Sequence, residues 1–177
     1  ASLFLATQLA GTAQAQNTTS STFPEVKKTN AGEPKIHMGI IAGVNTPEGS
    51  YQTAAEYGLD VGFQPIIPIG LGLEVTRSEI RAEPGNYSLR TNALIKATYN
   101  LGGTIPVIRH SYLGLALGPV FKPEETKGAA GPLIGFDIPL ENTAQSFFSL
   151  GAHAKYLVVD GGEPDALTVA GLLKYWY

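Results

Sequence analysis

Eight charged side chains recur inside stretches that are otherwise apolar or small: Glu56, Asp60, Glu74 and Asp137 against Arg90, Lys96, Lys155 and Lys174. His153 falls among them. Acids and bases placed this way can pair in a desolvated interior, line a narrow ion path, or serve as proton donors and acceptors in a reaction. Three His and no Cys leave no thiolate nucleophile, disulfide or thiolate metal site, and no His/Asp/Glu spacing suggests a metal. Gly102-Gly103 and Gly161-Gly162 belong to turns; they lack the strand–loop–helix setting of a phosphate loop. No catalytic constellation and no cofactor are therefore expected, and the charges are read as a network.

The elements that must carry these charges alternate with a period of two, which is the signature of strands with two different faces. The last stretch shows it best: Leu167, Val169, Gly171, Leu173, Tyr175 and Tyr177 fall on one face, and Thr168, Ala170, Leu172, Lys174 and Trp176 on the other. Ile36, Met38, Ile40, Ala42 and Val44 alternate with His37, Gly39, Ile41, Gly43 and Asn45. The same pattern runs through Tyr57–Phe63, Ile69–Val75, Tyr87–Tyr99, Leu113–Phe121, Ile134–Ile138 and Phe148–Val158. Turn signals separate these runs: Thr46–Ser50, Pro65–Pro68, Glu83–Asn86, Asn100–Arg109, Lys122–Ala130, Glu141–Ser146 and Asp160–Asp165. Pro119 is expected to weaken the end of its strand. About eight strands in a meander of antiparallel hairpins follow, each near the ~9–11 residues that cross a bilayer at a tilt.

At 177 residues the chain makes one domain with a leader. Charged residues are 15%, well below the roughly 25% of soluble domains, and the net charge of −3 offers nothing to nucleic acid. No apolar run is long enough for a transmembrane helix, which leaves a membrane barrel open because its strands average out in hydropathy. Ala1–Gln16 reads as the remnant of a signal peptide, with the small-x-small site Ala13-Gln14-Ala15 and a mature chain starting near Gln16. A polar, flexible leader runs to Pro34, and the barrel from Lys35 to Tyr177.

Periodicity does not say which face points inward. A soluble lipocalin-like barrel would hold its apolar face inside around a ligand; a membrane barrel would show it to lipid. The polar face is rich in Gly and Ala, which suits the narrow interior of eight strands, and its mixed-sign charges can neutralise there. Aromatics on the apolar face gather at strand ends: Tyr57, Tyr87, Phe121 and Tyr156 at one end, Phe63, Tyr99, Phe148, Tyr175 and Tyr177 at the other. Two aromatic girdles around an aliphatic band are what two membrane–water interfaces select. The reading is an all-β, eight-stranded antiparallel up-and-down transmembrane barrel.

The signal-like start, the alternating strands and the aromatic Tyr175-Trp176-Tyr177 resemble the small outer-membrane β-barrels of Gram-negative bacteria, the OmpA/OmpX-like superfamily. The resemblance covers Lys35–Tyr177. It implies a bacterial outer-membrane protein exported by a signal peptide, with outer-membrane lipid around it. It also implies recognition of the C-terminal strand by the outer-membrane assembly machinery. Both termini would face the periplasm, and Thr46–Ala55, Glu79–Asn86, Lys122–Ala130 and Asp160–Asp165 would face outside. Some barrels of this size are lipid A-modifying enzymes using a His, a Ser and an acid. His110-Ser111 invites that comparison, but the family spacing is missing. His37 is expected to be solvated near the periplasmic rim. The expected function is a non-enzymatic envelope protein with a side-chain-filled polar lumen. The alternatives are a narrow solute channel, in which Glu74 and Asp60 exchange partners with Arg90 and Lys96, and the soluble ligand-binding barrel.

Overall fold

The structure, a computed structural model, describes residues 35–66, 68–83, 86–140 and 146–177. The signal and leader segment 1–34 and the turn residues 141–145 lie outside the described residues. Each period-two run forms a strand: β1 (Lys35–Pro47), β2 (Ala54–Ile66), β3 (Ile69–Glu83), β4 (Asn86–Asn100), β5 (Ser111–Phe121), β6 (Thr126–Pro139), β7 (Phe147–Val159) and β8 (Ala166–Trp176). One helical turn, α1 (Pro106–Arg109), precedes β5. Every strand pairs antiparallel with the next, and β8 pairs back onto β1 from His37↔Trp176 to Pro47↔Ala166, which closes the barrel and leaves no open edge.

The strands are longer than the sequence pattern suggests, at 11 to 15 residues. Two expected loops are shorter for the same reason. β3 continues through Glu79 to Glu83, and β6 already begins at Thr126, so Lys122–Ala130 is a loop only as far as Glu125. Composition misleads here because a hairpin that rises past the bilayer can be polar on both faces and still keep its ladder. Pro119 does not end β5, which runs on to Phe121. The β4–β5 ladder instead steps over it, from Asn92↔Val120 to Ile95↔Leu117. The β6–β7 ladder steps over Pro132 in the same way, from Ala130↔Val158 to Leu133↔Lys155. A proline has no N–H to donate, so each interrupts the ladder locally.

The apolar face points outward. Leu59 is 62% exposed and Ile134 59%, whereas Glu74 and Arg90 on the other face are at 0%. This excludes the lipocalin-like arrangement, which needs the opposite. A belt of aliphatic side chains around a sealed, charged interior is stable where the surroundings are hydrocarbon and the backbone is fully paired within the sheet. We call the rim carrying loops 48–53, 122–125 and 160–165 the upper rim, and the rim nearest Lys35 and Tyr177 the lower.

Candidate functional site: a charge ladder in the lumen

All the inward charges named from the sequence point into the barrel, and seven of them meet there, because inward parity on eight tilted strands converges on a narrow axis. Lys155 Nζ donates to Glu56 Oε1 at 2.8 Å and also to Glu74 Oε1. Lys96 Nζ lies 3.0 Å from Glu74 Oε2 and 2.6 Å from Asp60 Oδ1. Lys174 Nζ lies 3.6 Å from Asp60 Oδ2 and 2.7 Å from Asp137 Oδ2. The result is an unbroken alternating ladder, Glu56–Lys155–Glu74–Lys96–Asp60–Lys174–Asp137, in which each lysine bridges two carboxylates. Desolvated charges are tolerable when each has such close partners and its remaining hydrogen-bonding capacity is filled.

Neutral side chains complete the ladder. Asn45 Nδ2 donates to Glu56 Oε2 and to Thr168 Oγ1, both at 3.0 Å, and the Thr168 hydroxyl donates to Glu56 Oε2 at 3.3 Å. His153 Nδ1 stands 4.0 Å from Glu74 Oε2. Glycines make the room: a Cβ at Gly62 would overlap the His37 ring, and one at Gly151 would overlap the Asp137 carboxylate.

His37 is buried, contrary to the solvated position expected for it. The closing register sets it opposite Trp176, and the two rings lie 4.3 Å apart. His37 Nε2 is 3.1 Å from Asp60 Oδ2, and Trp176 Nε1 donates to Ser149 Oγ at 2.9 Å. Tyr112, with Lys174 Nζ 5.4 Å from its ring centroid, fills the same lower end. A cavity of about 40 Å³ remains among His37, Asp60, Lys96, Asp137, Lys174 and Trp176, room for about one water molecule. Sequence reasoning passed over Asn45, Thr168, Tyr112 and Trp176 as site residues. Their inward parity was the available signal.

Arg90 stands apart. Its Nε donates to Asn92 Oδ1 at 3.0 Å, and Asn92 Nδ2 donates to Thr76 Oγ1 at 3.2 Å, but no carboxylate among the described residues pairs with Arg90. The partner exchange imagined between Glu74 or Asp60 and Arg90 thus lacks its starting contact; Glu74 and Asp60 are held by lysines.

Apolar side chains also fill the lumen, with Ile41, Ala170 and Leu172 packing together on the β1–β8 side. Leu94, Ala116, Leu133 and Leu157 pack with Tyr112 on the β4–β7 side, and Val120, Ala129 and Val159 pack above them. A larger depression of about 750 Å³, lined by Ala97, Leu115, Pro132 and Ala154 among others, opens on the outer face.

On the exterior, Tyr57 and Phe121 are exposed near the upper rim, and Phe63, Tyr99, Phe148 and Tyr177 near the lower. Tyr156 is half-buried, its hydroxyl donating to Glu48 Oε1 at 2.6 Å. Tyr175 is also half-buried, 5.0 Å from the Phe148 ring. The Tyr87 backbone pairs with Arg81, while its side chain lies outside the described ones. Phe136 adds an outward aromatic not singled out from the sequence.

His110 ends α1 on the lower rim, where its carbonyl accepts the Asp137 N–H at 2.9 Å. Burial, and then the neighbouring Arg109 charge, push its imidazole below the ordinary value. The Asp137 carboxylate turns away into the lumen toward Lys174. Among the described residues no group of three His, Cys, Asp or Glu is arranged to hold a metal.

Solved structures share this architecture. The chain is similar to Neisserial surface protein A (NspA) at 14% identity and a TM-score of 0.58, covering 80% of this chain and 95% of that one. This is the fold of the small outer-membrane β-barrels. The chain is similar also to the outer membrane protein AlkL, whose structure was determined in lipid bilayers, at 12% identity and a TM-score of 0.53, covering 88% and 95%. No protein-family model and no curated protein matches the sequence.

Proposed function

We propose that this protein is a non-enzymatic integral protein of the bacterial outer membrane whose lumen is plugged, with a structural role in the envelope. The observation that carries this reading is the ladder itself. Seven charged groups bridge one another across the interior, and the space left among its lower members is about 40 Å³. Ion passage would require several desolvated contacts to open together. The exposed aliphatic belt and its aromatic ends suit a lipid surround. The aromatic strand Ala166–Trp176 with Tyr177 would present itself to the assembly machinery, and the charged residues Glu56, Asp60, Glu74, Arg90, Lys96, Asp137, His153, Lys155 and Lys174 would act as lumen filling.

Two measurements test this. The chain from Gln16 onward, diluted from urea with and without detergent micelles, should give a heat-modifiable band on SDS gels only with detergent. Inserted into planar bilayers, it should then leave the current at baseline. Stable unitary steps would instead favour the narrow channel.

A further inference from the structure

Among the described residues the interior holds four Lys and Arg cations, and three of them touch two carboxylates each. Arg90 is the fourth. It is fully buried, and its Nη2 has no hydrogen-bond partner. Directly opposite it on β3 is Ser78, also inward and buried, whose Oγ is unpartnered too. Inward side chains at directly opposed positions lie within reach of a common small ligand. On the other flank, Asn92↔Val120 extends to place Lys122 beside Arg90.

The acids of the neighbourhood are committed elsewhere. Glu56, which stands opposite Ser78 on β2, has its oxygens taken by Lys155, Asn45 and Thr168. Asp165 accepts from the Tyr156 hydroxyl and the Val159 N–H. Glu163 is held by Lys122. Burial and then the charge of Arg90 keep the Lys122 ammonium below its ordinary value, so the two cations sense each other. A buried charge with an unfilled donor beside a second unfilled donor signals a missing partner. Water would fill the donors but bring no counter-charge into contact with the guanidinium. A small anion answers both.

We infer that the upper end of the lumen binds one small monovalent anion of halide size between Arg90 Nη2 and Ser78 Oγ, with Lys122 on its outer side. Ser78 donates its hydroxyl hydrogen and Arg90 a guanidinium N–H, so the anion needs no further acceptor. The nearby unpartnered Asn45 Oδ1 does not belong to this site, because an acceptor repels an anion.

The test is thermal unfolding of the micelle-refolded protein in sodium bromide, with sodium gluconate keeping the ionic strength constant. The expected result is a rise in Tm that saturates with bromide. Ser78→Ala should shift its midpoint about tenfold upward, as the loss of one hydrogen bond to a charge implies. Arg90→Gln should abolish saturation, and Lys122→Gln, a change in a loop, should weaken it severalfold. If Arg90→Gln fails to refold, Ser78→Ala and Lys122→Gln carry the test, together with anomalous scattering from bromide-soaked crystals. A peak between Arg90 and Ser78 supports the site. The same unsaturated salt response in all variants, or no peak there, overturns it and leaves water as the occupant.

Discussion

The ladder and the Arg90 corner are built from the same materials on the same strands, yet they solve burial differently. Glu74 and Arg90 are both fully buried, on the adjacent strands β3 and β4. Glu74 meets two lysines, whereas Arg90 meets an asparagine. The four acids and four bases sum to zero, so the difference is one of reach rather than stoichiometry. A desolvated pair derives its stability from contact geometry, and a counter-ion of the right sign that is already engaged elsewhere gives a distant group little. Mutual bridging makes the ladder a rigid filling; the unmatched corner is where the interior has capacity for something else.

Mutations can break this contrast. Glu74→Gln keeps the shape and removes the charge shared by Lys155 and Lys96. We expect a loss of about 3–5 kcal/mol in urea unfolding from micelles. A loss below about 1 kcal/mol would mean that water reaches the lysines, which would revive the channel reading. Arg90→Met should behave in the opposite way. In gluconate, with no small anion present, it should stabilise the protein by about 1 kcal/mol, because it replaces an unpaired buried charge with an apolar side chain. A loss as large as that of Glu74→Gln would erase the distinction between the two regions.

Away from the charges, the lower girdle offers a smaller test. Phe148 and Tyr175 face each other across β7 and β8 with ring centroids 5.0 Å apart. A double-mutant cycle to alanine should give a coupling of about 1 kcal/mol. Smallest of all is a titration. His110 should titrate by NMR below the ordinary 6.5, since the fold disfavours its protonated form. Its contribution therefore weakens stability as pH falls below about 6.5, and leaves it unaffected above.

Much of this was legible in the chain. The period of two in Ile36–Val44 and Ile69–Val75 gave both faces of each strand, and therefore which charges would share the interior. His37 was misread because its surroundings come from the opposite end of the sequence: Trp176 covers it only once β8 pairs with β1. The Thr126–Ala130 stretch was misread because small and polar residues carry no periodic signal, and the β5–β6 ladder there is set by pairing from Phe121↔Thr126 onward.

The sequence by itself determined the strands, their two faces and the sign and number of the interior charges, because side-chain alternation is a local property of an extended backbone. Which acid meets which base was decided only by closure. Partners such as Lys155 and Glu56 lie far apart in the chain, and their meeting depends on the stagger of eight strands around a common axis. That stagger gives three lysines two carboxylates each and leaves Arg90 with none among the described residues, an outcome of register that no stretch of the chain contains.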